Sequence, residues 1–137
     1  MSTYPVRHIS IHLSVDLQTA YDYLADPRNF PEWASGLCKS IQPLENGEWL
    51  IDSPMGELKA VFTEKNQYGV LDHTVIFGPD KKVNNPMRIL ANDQGSELVF
   101  TLFQLPEMSD KKFEEDAAWV KKDLTELSEL LKKKFSK

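Results

Sequence analysis

Hydrophobic and polar positions alternate along most of this chain, and the period of that alternation changes between segments. Over residues 6–15 it is two: Ile9, Ile11, Leu13 and Val15 fall on one side, His8, Ser10, His12 and Ser14 on the other. That pattern predicts a strand with one wet face. Asp16 then stands as an N-cap before Leu17, Ala20, Tyr21 and Leu24, the spacing of a short helix stopped by Asp26-Pro27. Residues 29–34, containing Phe30-Pro31-Glu32-Trp33, predict a second helical turn ended by Ser35-Gly36. Period two returns after that, with strands predicted over 37–44, 48–53, 57–65, 70–77, 82–91 and 97–104. The separators are Asn46-Gly47, Met55-Gly56, Tyr68-Gly69, Gly78-Pro79-Asp80 and Asp93-Gln94-Gly95, each a glycine-bearing turn of hairpin length. Consecutive strands are therefore expected to be antiparallel neighbours.

The last quarter of the chain, 109–135, changes period again. Phe113, Ala117, Val120, Leu124, Leu127, Leu131 and Phe135 recur in steps of four or three, which holds them on one narrow helical face. Ser109 is placed to cap that helix. Glu114, Glu115 and Asp116 sit near its positive end and Lys132, Lys133 and Lys134 near its negative end. It would run about 39 Å, and its apolar stripe needs a sheet to cover it. Trp119 and Leu130 fall roughly 100° off the stripe. The expectation is an α+β domain spanning 1–137: a seven-stranded antiparallel sheet curved around the C-terminal helix, with two short helices after the first strand.

Turn lengths set expected registers. A two-residue turn at Met55-Gly56 puts Ile51 opposite Ala60 and Trp49 opposite Phe62. A five-residue loop over 78–82, centred on Asp80, puts Phe77 opposite Val83, His73 opposite Met87 and Asp72 opposite Arg88. A one-residue slip would exchange the two faces, so which of them points inward stays open.

Charge narrows the function classes. A net charge of −5 and a pI near 5.2 leave no basic excess for a nucleic-acid backbone, so no such partner is expected. Lys132 to Lys134 is accounted for by helix-end electrostatics. The single cysteine, Cys38, excludes an intrachain disulfide and a multi-cysteine metal site, and fits a reducing compartment. No stretch approaches the ~20 apolar residues of a membrane span, so a cytoplasmic protein with no membrane partner is expected.

The run Asp16-Leu17-Gln18-Thr19-Ala20-Tyr21-Asp22-Tyr23-Leu24-Ala25-Asp26-Pro27, leading into Pro31-Glu32-Trp33, resembles the START-related (SRPBCC) helix-grip superfamily. Gly69-Val70-Leu71-Asp72-His73, Arg88, Gly95-Ser96-Glu97, Phe100-Thr101 and Lys122-Asp123-Leu124 are similar to its polyketide cyclase/dehydratase-like branch. The resemblance covers nearly the whole chain. It implies an apolar cavity between sheet and long helix, and a fold that hosts carriers, cyclases, hydrolyases and chaperone-ATPase activators.

Nucleophile motifs, phosphate-cradling glycine loops and metal-ligand spacings are absent, and neither metal nor cofactor is expected. Two histidines four residues apart on a strand, His8 and His12, have no third ligand nearby and are expected to face solvent. Cys38 follows a helix rather than opening one, which gives no reason for a lowered pKa. Trp33, Trp49, Phe62, Phe100, Phe103 and Trp119 either line a cavity or fill a core. The one group with chemical potential is Asp72, His73 and Arg88. An Asp and an Arg across a hairpin can pair and orient a ligand carbonyl or carboxylate, and a histidine can move protons. Adjacent strand residues point to opposite faces, however, so Asp72 and His73 do not line one wall without a bulge. The leading expectation is a binder of a small hydrophobic or aromatic molecule, with Trp33, Trp49, Phe62, Asp72, Arg88 and Trp119 as ligand contacts. The alternatives are a cyclase or dehydratase using Asp72, His73 and Arg88 in acid–base chemistry, and a protein-interaction module.

Overall fold

In the computed structural model, which describes residues 2–135, the elements follow the order expected from the pattern. They are β1 (Val6–Leu13), α1 (Leu17–Leu24), α2 (Phe30–Trp33), β2 (Ser40–Pro43), β3 (Trp49–Ser53), β4 (Gly56–Phe62), β5 (His73–Gly78), β6 (Lys81–Asn85), β7 (Met87–Asn92), β8 (Gly95–Phe103) and α3 (Asp110–Lys134). The strand expected over 82–91 is two strands, β6 and β7, on either side of Pro86. The expected single seven-stranded sheet is correspondingly two antiparallel sheets, β1-β8-β7 and β2-β3-β4-β5-β6.

Proline explains the division. It has no amide hydrogen for the ladder, so a sheet tolerates it only at an edge or a break. The hairpin nevertheless keeps one register across the break. His73 pairs with Asn85 before it and Val70 bridges Arg88 after it, which sets Asp72 opposite Pro86. Beyond the break the Leu71 N–H donates to the Met87 carbonyl at 2.8 Å, and the Ile89 N–H to the Gly69 carbonyl at 2.9 Å. The Met87 N–H turns instead to the Asp72 carboxylate at 2.8 Å. Gly69 has φ +70°, and a Cβ there would lie 2.3 Å from the Ile89 carbonyl oxygen, so only glycine fits. The loop before it is held by Asn66. Its N–H donates to the Tyr21 hydroxyl at 2.8 Å, and its side-chain oxygen accepts from the N–H groups of Tyr68 and Val70.

Both hairpin registers differ from expectation by two residues. Trp49 pairs with Ala60 and Ile51 with Leu58, so the turn is built on Pro54-Met55. Val75 pairs with Val83, so the next is built on Pro79-Asp80. Proline pre-sets φ for the second position of a turn, and Ser53-Pro54-Met55-Gly56 also has the favoured first and fourth residues. The Met55 N–H donates to Ser53 Oγ at 3.1 Å, which closes that turn. An even slip leaves the same residues on each face, so the expected faces survive the register error.

α3 is capped by Ser109, whose Oγ accepts from the Lys112 N–H at 3.1 Å. It buries Phe113, Ala117, Leu124, Leu127 and Leu131. Phe135, expected to end that stripe, is instead at the C-cap and 41% exposed. Arg7 pairs with Glu114, and Ser128 Oγ donates to the His12 carbonyl at 3.0 Å, fastening the helix along β1.

Candidate ligand site

The inner face of the five-stranded sheet carries Phe62, His73, Val75 and Asn85 in register, with His73 between Phe62 on β4 and Asn85 on β6. Two rings come down on it from α2. Phe30 and Trp33 are three residues apart, which puts them on one side of the short helix. β8 adds Phe100 from the other sheet. The result is one aromatic cluster. Phe30 lies 4.9 Å from Trp33, 5.2 Å from Phe62 and 5.5 Å from His73, centroid to centroid. His73 is stacked on Phe62 at 5.8 Å, edge-on to Trp33 at 5.9 Å and tilted against Phe100 at 6.3 Å.

Two polar groups interrupt this apolar surface. His73 is buried, with Nδ1 at 3.3 Å from the Leu71 carbonyl. Burial pushes its pKa down to about 4, outweighing the Leu71 contact and the nearby Asp72 charge, which both act upward. The ring is therefore neutral at pH 7, and with Nδ1–H donating to Leu71 its Nε2 keeps a lone pair. Trp33 Nε1 is the second. It is buried, and it is the one buried side-chain polar atom among the described residues without a hydrogen-bond partner. Every lysine and arginine among the described residues is exposed, so no cation reaches this interior.

The residues singled out from sequence do not converge. Trp33 and Phe62 belong to the cluster. Trp49 is half-buried across from Ala60, with the Arg28 guanidinium 5.8 Å from its ring centroid. Trp119 stands 56% exposed on α3, beside the Lys122 ammonium at 4.8 Å. The expected apolar cavity between sheet and long helix is not found among the described residues; two depressions that are found, along the outer side of α3 and between β1 and α3, are open ones. Phe30 was not among the expected contacts. Its three-residue spacing from Trp33 was the available signal.

Asp72 and Arg88 do form an ion pair, diagonally across the hairpin rather than directly opposite, on the outer face of the sheet. Their side chains are 27% and 44% exposed. We expect Arg88→Met to cost less than about 1 kcal/mol, as exposed pairs do. Asp72→Ala should cost more, about 1–3 kcal/mol, because the Met87 N–H loses its acceptor. Urea melts of the two variants decide between these origins, and equal losses would mean that the ion pair rather than the backbone bond carries the stability.

His73 lies on the opposite face from this pair. His8 and His12 point outward to Thr101 and Glu97, about 13 Å apart along the strand, and no metal-ligating group of three is found among the described residues. Cys38 is buried, donates to the Ser40 carbonyl at 3.2 Å and has its pKa pushed up to about 11 by burial, so it is inert as a nucleophile.

No family model and no curated protein sequence matches this chain. Solved structures do. A START superfamily protein from Mycobacterium smegmatis superposes with a TM-score of 0.68 at 14% identity, over 92% of this chain and 98% of that one. Ara h 8.0201 gives 0.69 at 12%, over 94% and 98%. DynU16, a protein of the dynemicin biosynthetic locus, gives 0.70 at 12%, over 93% of this chain and 47% of that one. The architecture is thus the START-like, helix-grip fold, in two antiparallel sheets closed by a long C-terminal helix. No helix among the described residues is long and apolar enough to cross a membrane.

Proposed function

We propose that this chain binds a small apolar or aromatic molecule at the cluster of Phe30, Trp33, Phe62, His73 and Phe100. The observation that carries this reading is the buried Trp33 N–H without a partner. Leaving such a donor unpaired costs about 1–3 kcal/mol, and a ligand oxygen in the cluster would remove that cost. The fold supports the reading, being typically a ligand-binding one. With the α2 rings in contact with those of the sheet, a ligand enters only if the two sets part. α2 is four residues long and is held at its ends by the Tyr23 hydroxyl donating to Glu32 and by the Asn29 amide donating to the Tyr23 carbonyl at 2.8 Å.

A cyclase or dehydratase would need an acid and a base on one wall. Asp72 and His73 occupy opposite faces, and buried His73 resists protonation, so binding without turnover is the better reading. The neutral probe N-phenyl-1-naphthylamine is expected to bind saturably, one per chain, and quench tryptophan emission. Trp33→Phe should remove most of that quenching and Trp119→Phe little of it. The absence of saturable binding by any of a panel of neutral apolar probes would overturn the proposal. Quenching that survives Trp33→Phe but is lost in Trp119→Phe would place the ligand elsewhere.

A further inference from the structure

Resting on that binding reading, the polar content of the cluster defines which ligands it takes. We infer that the site selects uncharged aromatic molecules carrying a carbonyl or hydroxyl oxygen that accepts the Trp33 indole N–H, and that it rejects carboxylates.

Three observations lead there. Trp33 Nε1, the buried side-chain polar atom without a hydrogen-bond partner, is a donor, and an indole has no acceptor. A pure hydrocarbon would leave that donor as it is, still buried and unpaired, whereas an oxygen at the same place satisfies it. The surrounding walls are the rings of Phe30, Phe62, His73 and Phe100, arranged edge-on, stacked and tilted, which suits a flat aromatic body in place of part of their mutual packing.

The third observation concerns charge. A carboxylate could also accept from the indole, but a buried anion needs a cation or several donors to offset its desolvation. Every described lysine and arginine is exposed. The imidazole within the cluster is neutral at pH 7, and the charge that acts on it is the Asp72 carboxylate, of the wrong sign for an anion. An anionic head group would enter a site that offers it one hydrogen bond and no countercharge.

The test uses three probes with one ring system: 2-acetylnaphthalene, 2-ethylnaphthalene and 2-naphthoate, titrated at pH 7 into the unmodified protein. The ketone is expected to bind about three- to tenfold more tightly than the hydrocarbon, the worth of one net hydrogen bond. Naphthoate should be the weakest of the three. Trp33→Phe keeps an aromatic ring and deletes the donor, so it should bring the ketone-to-hydrocarbon ratio close to one. The indole N–H resonance of Trp33 in the unmodified protein should move with the ketone and not with the hydrocarbon, a readout independent of how well the variant folds. If ketone and hydrocarbon bind equally, the selection is overturned while binding at the cluster stands. If naphthoate binds most tightly, the charge argument is overturned. If none of the three binds, the inference and the proposed function fall together.

Discussion

A chain ended at Met108 is expected not to fold cooperatively. It would lack α3 and with it the buried side chains of Phe113, Leu124, Leu127 and Leu131. Each is worth about 1.5–3 kcal/mol on burial, and their joint loss is comparable with the whole stability of an ordinary domain, about 5–15 kcal/mol. The truncation would also uncover the face of β1 and the sheet core that the helix lies on. A single substitution tests the same contact more gently. Leu124 is 2% exposed and belongs to the hydrophobic core, so Leu124→Ala should cost about 2–5 kcal/mol, read from urea or thermal melts of the full chain. A truncated chain that still melts sharply at a similar temperature would mean that the sheets hold together without the helix.

Acidification is expected to destabilise the protein through His73. Its pKa is lowered on folding, from 6.5 to about 4, so between these values the unfolded chain binds a proton that the folded one refuses. The unfolded state then holds more protons, and stability rises with pH through this window. Stability from this source is fully present above pH 6.5, falls as pH drops towards 4, and is flat below that. The shift corresponds to about 3 kcal/mol. Asp123 works in the other direction. Partial burial raises its pKa to about 6, so protonating it favours the folded state as pH falls. Comparing the wild type with His73→Phe cancels that contribution, since both contain Asp123. His73→Phe should lose less stability between pH 7 and pH 4 than the wild type does. Identical pH profiles in denaturant melts would show that the imidazole is not held neutral by burial.

The caps, the two short helices and the faces of the strands were legible because each depends on residues a few positions apart. Asp16 accepts from the Thr19 N–H at 3.2 Å, and Ser109 caps α3 as expected. The hairpin registers were less legible. Gly56 and Gly78 drew attention as turn residues, whereas Pro54 and Pro79 set where the chain reverses. The signal for the divided sheet was also present in the sequence, in Pro86 inside a predicted strand. What made the break tolerable was not local: the carboxylate of Asp72, fourteen residues before Pro86, accepts from the Met87 N–H beside the break.

Alternation, turn residues and the long apolar stripe thus determined an α+β chain closed by its C-terminal helix, and which side chains share a face. Only the tertiary structure decided which face is inside. That choice depends on the path of the chain from Thr63 to Asp72, and the path depends on distant contacts: Asn66 with Tyr21, and Gly69 against Ile89. It turned His73 into the aromatic core and Asp72 and Arg88 outward. It also decided the fate of the tryptophans. Whether a ring is buried depends on which elements pack over it, so Trp33 entered the core with its N–H unpaired while Trp119, on the flank of α3, stayed largely exposed.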